Sequence, residues 1–359
     1  MPTEAHPPGH DAATAALVRD SDSKLAIRTL LRVFAVQDAL LLIYLFVVSL
    51  LIAWSSSVDP ILAEASARRV YVAIAVLTVG AFVSRGGLDG PTWLNALIYR
   101  VCIVGVLLDN YLMLRNLLPL VRPDTVDATL YELDLRIFGV EPALWLERYN
   151  ERPIVEWFAF FYFSYFIIAA VYMTGIVWLR RGGRETSEFA IGVLLVFCLG
   201  QLGYMAVPGF GPVGFLASTF HHALRGGFFW ACVTGTVSAG SAMKDIFPSL
   251  HTAFPTFLTL YAWRRARFDR RFRYVAVATG FFAVNIIIST MLLRWHFAID
   301  VVAGLALGST AAVLAPRIAG AEARLRSRMG LPQAWSFGPP SKTPRWWLPA
   351  SLSGASSGD

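Results

Sequence analysis

Long apolar runs recur along this chain, and basic clusters close them at every second turn. That pattern limits the fold more than any other feature. A bilayer core takes roughly 20 mostly apolar residues per helix. Helices of this kind are expected near 33–54, 70–84, 94–114, 154–179, 189–207, 248–263, 274–293 and 297–315. The expected fold is therefore all-α, a polytopic membrane bundle of about eight transmembrane helices. Composition agrees, with 56% hydrophobic and 15% charged residues, where soluble domains carry about 25% charged residues.

The net charge of +7 could suggest nucleic acid, but its distribution argues against that partner. Lys24, Arg28 and Arg32 precede the first helix. Arg180, Arg181 and Arg184 follow the fourth, and Arg264, Arg265, Arg267, Arg270, Arg271 and Arg273 fill one short loop. Arg317, Arg324, Arg326 and Arg328 follow the last helix. All four clusters fall on one side of an eight-helix chain, and clustered positive charge marks the cytoplasmic face. Both termini are then cytoplasmic, in a plasma or inner membrane. The three cysteines, Cys102, Cys198 and Cys232, give no disulfide or metal-thiolate pattern. The first apolar run lacks a cleavage site and reads as a retained helix.

Residues 1–23 read as a disordered segment, 24–318 as one membrane-embedded domain, and 319–359 as a basic stretch followed by a disordered cytoplasmic tail. The basic stretch could lie on the membrane surface. Between the third and fourth helices, Leu130, Leu133, Ile137 and Val140 fall near helical spacing, so an interfacial helix is expected there. The loop 208–247 contains Pro208, Gly209, Gly211, Pro212 and Gly214, which reads as a shaped turn without regular helix. Asp109 and Arg100 lie in or beside an apolar run. Intramembrane charge hints at function, but a salt bridge between helices is the expected role. His221 and His222 read as surface loop residues.

The chemistry concentrates in two segments, KDIFPSLHTAFP and STMLLRWHFAIDVVAG. Each sits at the end of an apolar run, and a hairpin of two helices separates them. His251 and His296 are thereby brought to one bilayer face, the outer one. His296 and Asp300 are four residues apart and share a helix face. A carboxylate so placed fixes one imidazole tautomer and leaves the other nitrogen free as base or nucleophile. Ser249 lies near a helix N-terminus, where backbone N–H groups favour a phosphate.

These segments resemble the phosphatidic-acid phosphatase type 2 superfamily, and within it the inositol phosphorylceramide synthase branch. The second family motif, Pro-Ser-Gly-His, reads here as Pro248, Ser249, Leu250 and His251. The third keeps its frame through Ser289, His296 and Asp300, but Thr290 replaces the arginine. Arg115 and Arg122-Pro123 match the first motif's spacing, with arginine for lysine. The loop YMAVPGFGP resembles the branch's Pro-rich element. The resemblance implies a six-helix phosphatase-type core and a phosphohistidine mechanism. His296 would attack phosphorus, Asp300 would orient it, and His251 would serve as acid and then base. Ser249 would help hold the phosphate. Arg294, Arg115 or Lys244 would replace the missing arginine, with Arg122 from the first motif beside them. No cofactor and no metal is implied.

The expected activity is lipid phosphotransfer, inositolphosphotransferase-like, at the non-cytoplasmic face. The donor would be a membrane lipid phosphate, and the acceptor an inositol, sugar or ceramide type hydroxyl. The alternative is a lipid phosphate phosphatase acting on phosphatidate or isoprenyl diphosphate, with water as acceptor. A lipid transporter would place its polar residues near the midplane rather than at one interface. A metal hydrolase using His251, His296 and Asp300 as ligands is a further reading, which activity in excess chelator separates.

The charge asymmetry predicts orientation. A single cysteine at residue 225 on a cysteine-free background is expected to react with an impermeant thiol reagent only from outside. Labelling from the cytoplasmic side alone would invert the topology, and the outward site with it.

Overall fold

A computed structural model describes residues 26–87, 91–179, 183–240 and 243–337 of the chain. The segment 1–23, the arginines at 180 and 181, and the tail beyond 337 lie outside the described residues. Every element described is helical, as a backbone in hydrocarbon requires if each peptide group is to find a partner. In chain order these are α1 (Val36–Trp54), α2 (Pro60–Phe82), α3 (Thr92–Val121), α4 (Asp127–Phe138), α5 (Pro142–Leu146) and α6 (Arg152–Tyr172). They continue as α7 (Arg184–Ala206), α8 (Gly211–Phe215), α9 (Phe228–Gly240), α10 (Leu250–Arg265), α11 (Arg271–Leu292) and α12 (Ala298–Arg328).

Seven of these helices are long and apolar enough to cross a membrane: α1, α2, α3, α6, α7, α11 and α12. The eighth expected crossing is α10, which has only 16 residues. It lies at the centre of the bundle between α7, α11 and α12. Leu250, Ala253, Phe254, Phe257, Leu258, Tyr261 and Ala262 are all buried along it. Its neighbours meet most of its surface, with Leu260 and Trp263 left exposed, so it needs neither the length nor the hydropathy of a lipid-facing helix.

Two helix boundaries depart furthest from expectation. The second helix begins at Pro60 rather than near 70. Asp59 caps it by accepting the Leu62 N–H at 3.0 Å, and proline at the first position suits a helix start. Glu64, Arg68 and Arg69 dilute the apolar signal of its early turns. Arg69 pairs with Asp109 of α3 at 2.5 Å, the interhelical salt bridge anticipated for Asp109. Arg100 instead donates to the Val177 carbonyl.

The last helix does not stop near 315 but runs unbroken to Arg328. The basic stretch after 319 is therefore the final turns of α12 and not a surface segment. Glu322 accepts from Arg326 at 2.9 Å and from the Val36 N–H at 3.1 Å, which ties these turns to the start of α1. A helix is present where one was expected between the third and fourth crossings, as α4. The loop expected to be irregular, 208–247, contains α8 and the 13-residue α9. Glu156 of α6 accepts from the N–H groups of Gly227, Phe229 and Trp230 and so caps α9, whose own sequence carries no cap.

The Arg-rich turns gather at one end of the bundle. Arg264 pairs with Glu188 and Arg265 with Glu185 near the start of α7. Arg326 donates to the Phe34 carbonyl before α1. At the opposite end, α4, α5, α8 and α9 surround the starts of α10 and α12. Small residues let those two helices meet. A Cβ on Gly304 would lie 2.5 Å from the Ser249 carbonyl, and one on Gly308 would lie 2.2 Å from the Ala253 carbonyl. Such spacing of small residues is how membrane helices approach backbone to backbone.

Candidate active site

A tight turn carries His296 inward. The Thr290 carbonyl accepts the N–H of Trp295 at 2.9 Å and of His296 at 3.1 Å, while Ser289 accepts that of Leu293. Arg294 reverses the chain at φ 67°, a conformation uncommon outside glycine. The loop before α8 fits against this turn. Gly211 has φ 71°, and a Cβ there would lie 2.3 Å from the Trp295 carbonyl, so any side chain would collide with backbone.

The first N–H groups of α12 have no partners within the helix and are held by carboxylates. Asp300 accepts from Phe297 at 3.0 Å. Asp134 of α4 accepts from Ala298 at 2.6 Å and Ile299 at 2.8 Å. Asp127, two turns earlier on α4, accepts from Phe210 and Gly211. The inward face of α4 thus fixes both the turn that carries His296 and the loop packed on it.

His296 is buried, and its Nδ1 lies 3.4 Å from Asp300 Oδ2. Burial pushes its pKa down to about 4, although the Asp245 charge and a hydrogen bond to the Ile246 backbone oppose this. Burial therefore favours the neutral imidazole. His251 sits in the first turn of α10. Its ring stacks on Tyr162 at 4.2 Å and 15° and meets Tyr165 at 4.2 Å. Its Nε2 is buried and has no hydrogen-bond partner among the described residues.

Both histidines line one cavity of about 890 Å³. Most of its wall is apolar, from α3, α6, α7 and α9. Beside Cys232 and Thr236 of α9, the polar lining residues cluster at the histidine end: Tyr111, Tyr162, Tyr165, Tyr204, Trp295 and Asp245. A large apolar cavity with a few convergent polar groups is the usual form of a small-molecule site. An orphaned imidazole nitrogen facing it marks where a ligand atom would complete the hydrogen bonding.

The structure brings His251, His296 and Asp300 together and sends the expected phosphate holders elsewhere. Arg294 Nη2 bonds Glu147 Oε1 at 3.2 Å and the His222 carbonyl at 2.9 Å, with its guanidinium 3.7 Å from the Phe220 ring centroid. It therefore ties the outer loops together. Arg115 is exposed on α3. Arg122 donates to the Ala206 carbonyl, and Lys244 Nζ to the Pro123 carbonyl at 2.5 Å. None of these four lines the cavity. Ser249 is fully buried behind His251. Its hydroxyl accepts from Thr252, and its N–H bonds the Asp300 carbonyl at 3.0 Å. Thr290, in the place of the third-motif arginine, turns its hydroxyl back to the Ile287 carbonyl. His221 and His222 are exposed, as expected of loop residues.

Sequence reasoning missed Asp245, Tyr111, Tyr165 and the carboxylates behind the turn. Asp127 and Asp134 are seven apart with Leu130 between them, so they share the apolar face of an amphipathic helix. That signal was available. Asp245 stands six residues before His251, but nothing local marks it as facing a cavity.

The sequence profile of the PAP2 superfamily matches residues 128–314, more than half of the chain. No curated protein and no solved structure matches it.

Glu141, buried before α5, shares a hydrogen bond with Asp134, and burial raises its pKa to about 8. The folded state thus keeps a proton that the unfolded chain releases near the ordinary value of 4.5. This contribution to stability is full below that value, declines as pH rises towards about 8, and is absent above it. Thermal melting of wild type and Glu141→Gln across this range is expected to differ in slope, the variant being flatter. Parallel curves would show that Glu141 does not hold that proton.

Proposed function

This chain belongs to the PAP2 superfamily, and from that premise we propose that it is a lipid phosphotransferase working through a phosphohistidine. The membrane-spanning helices and the superfamily's phosphatase and phosphotransferase chemistry agree with this class. The finer reading, transfer from a phosphodiester lipid to a hydroxyl acceptor, rests chiefly on one observation. Among the described residues lining the cavity there is no lysine or arginine, and Asp245 adds a carboxylate.

A phosphate monoester or a diphosphate brings about two or more negative charges into the site, and in a low-dielectric wall these need fixed cations. A phosphodiester brings one. Neutral donors, the tyrosine hydroxyls and imidazoles here, suit that smaller charge. The inositolphosphotransferase-like branch is the reading that fits.

The steps follow from the positions of the groups. Neutral His296 attacks phosphorus, and the bond from phosphorus to the lipid alkoxide breaks. His251, protonated as the anionic phosphate binds beside it and favours the charged ring, delivers that proton to the departing oxygen. Asp300 stabilises the positive charge that develops on the His296 ring. An acceptor hydroxyl of the inositol, sugar or ceramide type then loses its proton to His251 and attacks phosphorus. The nitrogen–phosphorus bond breaks, which regenerates both histidines. With water as acceptor the same residues would carry hydrolysis. Orientation with the site outside and both termini inside follows from the arginine distribution.

The test is purified protein in lipid nanodiscs, offered phosphatidylinositol, phosphatidate or an isoprenyl diphosphate, with and without ceramide or free inositol. Transferred headgroup from phosphatidylinositol, dependent on a hydroxyl acceptor, is expected. Release of free phosphate from phosphatidate or the diphosphate, with no transfer from phosphatidylinositol, would replace this reading with a phosphatase.

A further inference from the structure

The cavity runs far beyond the histidines. Along α6 its wall extends from Tyr162 to Met173, eleven residues or roughly 16 Å at the helical rise. That is close to half of a hydrocarbon core about 30 Å thick, the depth of one leaflet. Below it lies a second void of about 20 Å³. Val104, Leu107, Met173 and Val193 line both spaces, so only side chains separate them. Next to Met173 the α6 helix widens into a π-helical turn, Met173–Trp178. Trp335 lines the lower void.

The position of Trp335 is unexpected, because it comes after the end of α12 in sequence. The chain leaves α12 through Gly330 at φ 65° and folds back into the bundle. Arg326 donates to the Pro332 carbonyl at 3.3 Å, and Arg85 of the turn after α2 donates to the Ala334 carbonyl at 2.9 Å. The indole is 1% exposed and packs edge-on against Tyr99 at 5.1 Å. Its Nε1 has no hydrogen-bond partner among the described residues, so packing rather than a polar contact sets its place.

We propose that Trp335 is the floor of an acyl-chain site and sets the longest chain that the cavity accepts. This rests on the reading of the cavity as a lipid site. Among the described residues the wall is mainly apolar towards Met173, and its tyrosines, Asp245 and imidazoles gather at the histidine end. A lipid would place its phosphate there and run one chain down past Met173. The chain end would displace Met173, which is unbranched and adaptable, and stop on the indole. The indole is rigid and strapped by two arginines, so it does not yield. The same ring closes the cavity from the arginine-bearing end.

The experiment uses the full-length chain in nanodiscs. A fluorescent phospholipid is displaced by phosphatidylinositols that differ only in acyl-chain length. Wild type is expected to bind most tightly at one length and to lose at least about tenfold beyond it, or roughly 1.4 kcal/mol. Trp335→Ala is expected to move that optimum to longer chains, and Trp335→Phe to move it less. Folding is checked by thermal melting, and the phenylalanine variant retains the test if the alanine variant melts early. An unchanged optimum in the folded variants, or wild-type affinity indifferent to chain length, would overturn the proposal. A shifted optimum in a protein that transfers no headgroup would support the floor and instead defeat the phosphotransferase reading.

Discussion

The close approach of α10 to α12 is the constraint on which the site depends. Gly304 and Gly308 admit the carbonyls of Ser249 and Ala253 at distances that no side chain would allow. The Ser249 N–H then reaches the Asp300 carbonyl at 3.0 Å. This contact locks the helix carrying His251 to the helix carrying Asp300, with His296 two residues before its start. In a bilayer, helices gain little from hydrophobic burial against one another, so packing of this kind has to supply the register. A group-transfer site needs its reacting groups held within a fraction of an ångström of the productive geometry. Here two glycines and one backbone hydrogen bond supply that precision.

Buried charge in this bundle is handled mainly by helix termini. Asp134 and Asp300 share the N-terminal N–H groups of α12, Glu156 those of α9, and Asp127 those of Phe210 and Gly211. Each carboxylate thereby meets partially positive donors instead of water. The arginines are used in the same structural way. Arg294 gathers Glu147 and His222 at the mouth, and Arg85 gathers Asp38, Val33 and Ala334 at the far end. Cations near the site are thus consumed in building it, while the cavity wall is left to tyrosines, imidazoles and Asp245. That division is the basis on which a singly charged phosphodiester is proposed as the donor.

Much of this was legible in sequence, and the limits have physical causes. Apolar length located the helices, because a bilayer imposes it directly. The hairpin of α10 and α11 brought His251 to His296 by topology alone, and the spacing of four put Asp300 beside His296. Where the basic side chains near the site point was not legible. Arg294 stands two residues from His296, but its positive φ aims it outward to Glu147, and sequence does not report φ. Arg115 keeps the first motif's spacing but falls on the exposed face of α3. The α9 helix was hidden because its cap comes from Glu156, over 70 residues away. Trp335 was hidden because it lies in a Pro- and Gly-bearing stretch whose place in the bundle depends on Arg85, 249 residues before Ala334.

The central claim is that His296, with Asp300 beside it and the neutral ring favoured by burial, is the nucleophile that attacks phosphorus. It is tested most directly by acid-quenching the enzyme during turnover of a lipid labelled at phosphorus, then mapping the label by peptide. The account predicts label on the peptide bearing His296, none in His296→Ala, and label persisting in His251→Ala when the donor has an activated leaving group that needs no proton. Label on His251, or stable label in His296→Ala, would contradict it.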